Sequence, residues 1–190
     1  MITFTFDTNC LIDLSEEREA ANYIWELIEG HRKNDVSVAF IAVSASERQK
    51  GDYFLPTYGD FLGRLKAVGV EDIPQIFGIL YQDISYWDAA IWGSEESDKL
   101  EREIHKVLFP NLPFALDDYA VSLSKTVDGL SAKQHFKWRN AWCDRQMIWS
   151  HIHHQRHVFV TGDRNFRKIQ KCARFEGCVV ATPKEAISMV

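Results

Sequence analysis

Four acidic residues, widely separated in the sequence, are the candidates for one chemical site. Asp7 and Asp163 each follow an apolar stretch typical of a β-strand, and Glu47 comes just after a third such stretch. Asp144 lies in the helical segment that leads into the strand before Asp163. The carboxyl ends of parallel strands meet at one edge of a sheet, where ligands bind. Carboxylates prefer hard cations, so this pattern predicts a Mg²⁺ or Mn²⁺ site suited to phosphodiester hydrolysis.

Each of these residues also has a purely structural interpretation. An aspartate at a strand end is commonly a turn former or a helix cap, and Glu47 suits the first turn of a helix. Asp144 taken alone is most simply a solvated helix residue with a basic partner one turn away. Several carboxylates in one place repel each other and raise at least one pKa, so a shared site needs a cation. The presence of all four favours the metal-site interpretation.

The elements that must position these residues alternate between strand and helix at the two ends of the chain. Runs of β-branched and aromatic residues predict strands at residues 2–6, 36–44, 157–161 and 178–181. Capping residues and apolar spacing predict helices after Ser15, at 57–69, 94–109, 116–124 and 131–154, after Asp163, and from 182 onwards. This alternation indicates an α/β fold with three layers, α/β/α, around a central parallel sheet. Residues 70–130 are predicted to be a helical insertion.

The composition is that of an ordinary globular protein, since 46% of its 190 residues are hydrophobic and 26% are charged. The length suits a single domain over residues 1–190. With no long apolar run and a strand at the very start, we expect a cytoplasmic protein without a signal peptide or membrane contact. The four cysteines lack metal-ligand spacing and are expected to be free thiols. A net charge of −5 excludes binding of nucleic acid by bulk charge.

The segments that carry the four acids resemble the motifs of the PIN-domain family of metal-dependent nucleases. The segment FTFDTNCLIDL resembles the family's first strand, first acid and helix start, and VSASE resembles the segment that brings the second acid. VFVTGDRNF resembles the signature Thr-x-Asp-x-x-Phe, and CVVATPKEAI resembles the last strand and helix. By position, Asp144 matches the third acid. The resemblance covers roughly residues 1–50 and 140–190 and leaves the enlarged middle outside it.

The resemblance implies an endoribonuclease that hydrolyses RNA with Mg²⁺ or Mn²⁺ and leaves 5′-phosphate and 3′-hydroxyl ends. The four acids would hold one or two ions while a water attacks the phosphorus. Asn9 matches the polar residue near the first acid and would orient Asp7 or that water, and Thr161 matches the hydroxyl beside the fourth acid. Many small relatives are toxins of bacterial toxin–antitoxin pairs and are often dimeric. An antitoxin partner and a homodimer are therefore further expectations.

Three other groups of residues could serve such a site. Basic residues flank the third and fourth acids and either hold the RNA backbone, with Arg164 favoured by its position, or form a solvated face: Arg139, Arg145, Arg164, Arg167 and Lys168. The histidines of HIHHQRH have the helical spacing of metal ligands, although an exposed helix end is the simpler interpretation: His151, His153, His154 and His157. The aromatic residues between 77 and 92 are expected in the core of the insertion, with base stacking or a subunit interface as alternatives.

Two other functions are compatible with the same residues. One is a non-catalytic RNA-binding or protein-interaction protein of the same fold, and the other is a DNA-directed nuclease or phosphodiesterase with the same metal chemistry. Nucleotide-cofactor folds are excluded because the sequence has neither a GxxxxGK loop nor a GxGxxG turn. The GxSxG elbow of α/β-hydrolases is also absent. Position 9 is Asn, so the DTN segment lacks the second aspartate that a phosphoaspartate mechanism needs.

Overall fold

The strands of the computed structural model form one main parallel sheet within residues 1–49 and 53–190, the residues that the structure describes. In chain order the strands are β1 (Thr3–Phe6), β2 (Ser37–Ile41), β3 (Gln75–Ile76), β4 (Gly78–Ile79), β5 (Ala90–Ile91), β6 (Val158–Val160) and β7 (Val179–Ala181). Five of these described strands are hydrogen-bonded in the order β3-β2-β1-β6-β7, and every neighbouring pair is parallel. β4 and β5 form a separate parallel pair. The predicted α/β class with a central parallel sheet is therefore confirmed.

The helices of the described residues connect the strands and cover both faces of the sheet. They are α1 (Thr8–Ser15), α2 (Ala21–Arg32), α3 (Tyr58–Val68), α4 (Glu95–Leu108), α5 (Leu116–Ser122), α6 (Ala132–His153), α7 (Arg167–Gln170) and α8 (Pro183–Ile187). Thr57, Ser131 and Thr182 form capping boxes at the starts of α3, α6 and α8. Gly69 ends α3 in the left-handed region, with φ of 83°, a conformation that favours glycine.

Alternation along the strands divides the apolar residues between two cores. Phe4 and Phe6 of β1 lie in a first core with α1, α2, α3 and α8. The second core lies on the other face, where Ala39 and Ile41 of β2 join residues of α4, α5, α6 and α7. Thr5 also points to that face, since its hydroxyl contacts a histidine of α6. Two cores separated by one sheet are consistent with three layers.

Three local predictions are wrong. The second strand ends at Ile41 rather than at residue 44, because Ala42–Ser46 form a 3₁₀ turn. Ser15 ends α1 instead of opening a helix, since α1 starts directly after Asp7. The insertion is not helical throughout: residues 73–92 contain β3, β4 and β5, and its described α-helices are α4 and α5. Pairing of β3 with the edge of β2 supplies hydrogen bonds that no local pattern reveals.

The aromatic residues of the segment 77–92 divide between core and surface. Tyr81 contacts two tryptophan rings of α6. The Tyr86 hydroxyl donates to a backbone carbonyl before α3 at 2.6 Å. Trp87 and Trp92 face each other at 6.0 Å between ring centres but are 74% and 80% exposed. The expectation of a core position is therefore wrong for the two tryptophans.

The cysteines are all free thiols, as predicted. Cys10 and Cys143 lie in the first and second core, where burial raises the pKa of each thiol. They act as small apolar side chains rather than as nucleophiles. Among the described helices, none is both long enough and apolar enough to cross a membrane.

A buried ion pair fastens the inserted helix α4 to α6. Arg145 is fully buried, and its Nε donates to the Oε1 of Glu101 at 2.5 Å. The same guanidinium donates from Nη1 to the Phe114 carbonyl at 3.2 Å and lies 4.2 Å from the centre of that ring. Burial lowers the pKa of Arg145, and Glu101 opposes this shift. A charge in such a place depends on its partner, because the interior cannot solvate it.

Removal of this partner should therefore destabilise the protein strongly. We expect Glu101→Ala to lower the free energy of unfolding by about 3–5 kcal/mol, since it leaves the Arg145 charge buried and unpaired. The matched control is Asp98→Ala, which removes the exposed pair with Arg102 on the same helix and should cost about 1 kcal/mol or less. Urea unfolding followed by circular dichroism measures both. Equal losses would show that the buried pair contributes no more than a surface pair.

Candidate functional site

The sheet changes direction between β1 and β6. From β1 the chain proceeds outward through β2 to β3 on one side, and from β6 it proceeds to β7 on the other. Ligands of open parallel sheets bind at the carboxyl ends of the strands, at such a switch point. Asp7 follows β1 directly, and Thr161, Gly162 and Asp163 follow β6. Strand pairing thus brings Asp7 and Thr161 into contact although 154 positions separate them.

Asp7 is buried at the switch point, and both of its carboxylate oxygens accept hydrogen bonds. Its Oδ1 accepts from the Thr8 backbone N–H at 2.7 Å, which makes Asp7 the cap of α1. Its Oδ2 accepts from the Asn9 amide at 2.9 Å and from the Thr161 hydroxyl at 2.6 Å. The structural interpretation of Asp7 as a helix cap therefore applies. The same bonds also fix the direction in which the carboxylate points.

The Thr161 hydroxyl links the two acids that follow β1 and β6. It donates to Asp7 and accepts from the backbone N–H of Asp163 at 3.0 Å. Asp163 is exposed, and its Oδ1 accepts from the Asn165 N–H at 2.7 Å at the start of a short 3₁₀ turn. Asn9 and Thr161 are therefore placed to orient the acids, which is the role expected of Asn9.

Glu47 and Asp144 approach the same point from two other elements. Glu47 ends the 3₁₀ turn after β2, and Asp144 lies within α6. Arg139 of α6 donates from Nε to the carbonyl of Ser46 at 3.0 Å and so ties the helix to the residue before Glu47. The carboxyl group of Glu47 interacts electrostatically with Asp7 and Asp144. Asp144 interacts in turn with Asp7 and Asp163, so electrostatic interactions link all four predicted acids.

Burial and mutual repulsion perturb the carboxyl groups of this cluster. Burial raises the pKa of Asp7 to about 6, although the three hydrogen bonds that it accepts oppose the shift. Burial also raises the pKa of Glu47 and of Asp144 well above the usual range, and neighbouring carboxylates add to both shifts. The contributions that raise these pKa values are burial and neighbouring carboxylates, and those that lower them are hydrogen bonds. Carboxyl groups whose pKa values are perturbed by burial and by one another are typical of a functional site.

The chemistry of the cluster fits a hard divalent cation. Its donors are carboxylate oxygens, and the neighbouring Cys143 lies in the core instead. As the side chains stand, the described part of the chain has no three His, Cys, Asp or Glu residues that could together hold one ion. Carboxylates without a counter-charge repel each other, so an ion would have to draw these side chains together.

A pocket of about 450 Å³ opens beside Asp144. Lys137 and Asn140 line it from the same face of α6 as Asp144, since they lie seven and four residues before it. Lys168 of α7 lines it too, and its Nζ donates to the carbonyl that ends α4 at 3.2 Å. Residues 108–112 of the insertion form another wall. Lys137 and Asn140 were not predicted as site residues, although their helical spacing from Asp144 is a signal that could have revealed them.

Most of the basic residues expected to hold RNA have structural contacts. Arg145 is fully buried, so that expectation is wrong for it. The Arg139 guanidinium lies 3.5 Å from the centre of a phenylalanine ring, and Arg167 donates to a backbone carbonyl at 2.6 Å and pairs with an acid of α8. Arg164 and Lys168 are exposed beside the cluster and the pocket, where they are available to a substrate.

Among the described residues, no three of the four histidines of residues 151–157 are grouped as a metal site would require. His151 is buried and its Nδ1 contacts the Thr5 hydroxyl at 3.0 Å. His153 stacks on a tryptophan of α6, His154 contacts a backbone carbonyl, and His157 contacts Thr3. The expectation of an exposed helix end is wrong for His151, because that face of α6 packs on the sheet.

No family model, curated protein or solved structure matches this chain. The resemblance to the PIN-domain family therefore rests on the motifs around the four acids. The observed convergence of those acids comes from the fold of the chain itself and does not depend on any relative.

Replacement of Glu47 by Gln should stabilise the metal-free protein at pH 8. A carboxyl group whose pKa is raised by folding contributes stability below its unfolded-state pKa, and this contribution is lost as pH rises through the folded-state pKa. We expect the variant in EDTA to exceed the wild type by at least about 1 kcal/mol at pH 8, with a smaller difference at pH 5. Urea unfolding at the two pH values measures this difference.

Glu26→Gln is the matched control, since Glu26 is exposed on α2. It should change the free energy of unfolding by less than about 0.5 kcal/mol at either pH. A Glu47→Gln variant that is less stable than the wild type at pH 8 would contradict the expectation. The carboxylate would then be held by a favourable partner rather than by a repulsive cluster.

Proposed function

We propose that this protein is a metal-dependent endoribonuclease of the PIN-domain type. The observation that carries the proposal is the convergence of four acids from four separate segments at the switch point of the sheet: Asp7, Glu47, Asp144 and Asp163. Buried carboxylates that repel one another lower stability, so their presence is best explained by a function that needs them. The strand-end motifs around Asp7 and Asp163 support the same family.

The four carboxylates would hold one or two Mg²⁺ or Mn²⁺ ions through oxygen ligands. When bound, such an ion lowers the pKa of a water and polarises a phosphoryl oxygen. The Asp7 carboxylate is already oriented before an ion binds, because Thr8, Asn9 and Thr161 donate hydrogen bonds to its two oxygens. Asp163 is exposed beside it and is accessible to an incoming phosphate group.

The raised pKa values make protons compete with the ion for the same oxygens. Burial and repulsion hold protons on Glu47 and Asp144 at pH values where ordinary carboxyl groups are ionised. Ion binding must displace these protons, so the affinity for the ion falls as the pH falls. Activity is therefore expected to decline toward acidic pH.

The pocket beside Asp144 supplies a path for the substrate. Lys137 and Lys168 border it and carry positive charge next to an acidic cluster. Lysine side chains contact phosphates without regard to base sequence, and they position a nucleic-acid backbone. Lys137 lies seven residues from Asp144 along α6, a separation of about 10 Å. We therefore propose that a single strand of RNA lies along this face of α6, with one phosphate at the acids and a neighbouring one at the lysines.

The function is tested by cleavage of single-stranded RNA with Mg²⁺ or Mn²⁺. We expect cleavage that EDTA abolishes, with 5′-phosphate ends in the products. Asp7→Asn and Asp144→Asn should each reduce the rate by about 10²-fold or more, because each removes a ligand of the ion. The control Asp128→Asn, exposed in the insertion, should cleave at the wild-type rate.

Three outcomes would contradict this proposal. Equal cleavage by the wild type and both variants would assign the activity to a contaminating nuclease. Cleavage of DNA but not of RNA would assign the protein to the DNA-directed class instead. Binding of RNA without cleavage at any ion concentration would favour a non-catalytic protein of the same fold.

The path along α6 is tested by Lys137→Ala and Lys168→Ala. Each should raise KM for RNA several-fold with a smaller change in kcat, since the lysines contact a phosphate away from the cleaved bond. Each should also reduce the slope of log affinity against log salt by about 1, the loss of one phosphate contact.

Lys99→Ala is the matched control, because Lys99 is exposed on α4 and does not line the pocket. It should leave both KM and the salt slope unchanged. Unchanged KM in both pocket variants, with normal dependence on Asp7 and Asp144, would reject this path while leaving the nuclease proposal intact.

A further inference from the structure

A second pocket, of about 620 Å³, lies at the opposite edge of the sheet from the four acids. His157 and Cys178 line it, and these residues come directly before β6 and β7, so the pocket is at the amino ends of those strands. Leu100 of α4 and Ile152 of α6 contribute apolar walls. The volume is within the range of small-molecule sites.

Arg156 lines this pocket, and no ion pair joins it to a carboxylate within the described part of the chain. Its Nη2 donates to the Phe4 and Ser37 carbonyls at 2.7 and 2.8 Å, which fastens the guanidinium across β1 and β2. Its Nε is buried and has no hydrogen-bond partner in the described structure. Burial lowers the pKa of Arg156 to about 10, and no acid among the described residues opposes that shift. A partly buried cation without a counter-charge is unfavourable and favours an anion.

His151 provides a second unpartnered polar atom on the same pocket. Its Nδ1 contacts the Thr5 hydroxyl, whereas its Nε2 is buried with no partner among residues 1–49 and 53–190. Burial lowers the pKa of this imidazole to about 3, so the ring is neutral and one of its nitrogens carries a proton. Buried polar atoms are nearly always hydrogen-bonded, and two unpartnered ones beside one pocket suggest a missing partner.

We propose that this pocket binds a small organic anion, a phosphate monoester or a carboxylate with an apolar body. The acidic end of the ligand would accept from Arg156 and His151, and the apolar body would contact Leu100 and Ile152. Arg174 stands on the rim, where it pairs with Glu103 and adds positive charge. Glu96 also lines the pocket and would repel an anion placed on its side, so the acidic end must face Arg156.

The site is independent of the proposed nuclease function. It lies at the amino ends of the strands, it shares no lining residue with the pocket beside Asp144, and it needs no metal. Both pockets nonetheless contact α6, which carries Asp144 near its middle and His151 near its end.

The test uses adenosine 5′-monophosphate and benzoate as probes, with the full chain in EDTA. Titration followed by ¹⁵N NMR should show saturable shifts of the Gly177 and Leu100 amides for at least one probe, and not of the Asn9 amide. Arg156→Lys should weaken binding by about tenfold or more, because a charge-assisted hydrogen bond from Nε is lost. Arg174→Glu should weaken it by about threefold or more, since it reverses a charge on the rim.

The control is Arg18→Glu, an exposed arginine with two acidic partners that is far from the pocket in the fold. It should bind the probes like the wild type. Arg174→Glu keeps the test decisive if Arg156→Lys fails to fold, because the Arg174 side chain is 63% exposed. The proposal is overturned if neither probe binds up to about 10 mM, a very weak affinity. Shifts confined to residues near Asp7, or full binding by Arg174→Glu, would overturn it as well.

Discussion

The parallel pairing of β1 with β6 is the constraint on which the rest of the structure depends. These strands are joined in register from Phe4 with Val158 to Phe6 with Val160, across almost the whole chain. At their carboxyl ends the pairing places the Thr161 hydroxyl on the Asp7 carboxylate. At their amino ends it places Thr3 against His157. One register therefore determines both edges of the sheet, and a slip by one residue would turn every side chain to the wrong face.

The two edges of the sheet differ in the sign of the charged side chains that lie there. Carboxylates lie at the carboxyl edge, where burial raises the pKa values of Asp7, Glu47 and Asp144. At the amino edge the half-buried Arg156 has no ion pair with an acid among the described residues, and burial lowers its pKa. The charged groups at the two edges are therefore of opposite sign. Because buried or partly buried charges lower stability, both edges are consistent with the two proposed binding sites.

Helix α6 lies between these edges and is held by side-chain contacts to two other elements. Arg139 ties it to the turn before Glu47, and Arg145 ties it to the inserted helix α4. Its tryptophans fill the second core. The insertion therefore does more than extend the chain: it anchors the helix that carries Asp144 and forms one wall of the pocket beside that acid.

The sequence by itself determined the elements whose signals are local: the strand runs, the capping boxes of α3, α6 and α8, and the four acids beyond strand ends and on α6. It also determined the α/β class, since alternation of strands and helices needs no long-range information. Only the tertiary structure decided that Arg145 is buried, that Trp87 and Trp92 are exposed, and that Lys168 lines a pocket with Asp144. The physical reason is that burial, pairing and charge balance depend on neighbours distant in sequence, whereas capping and periodicity depend on residues within a few positions.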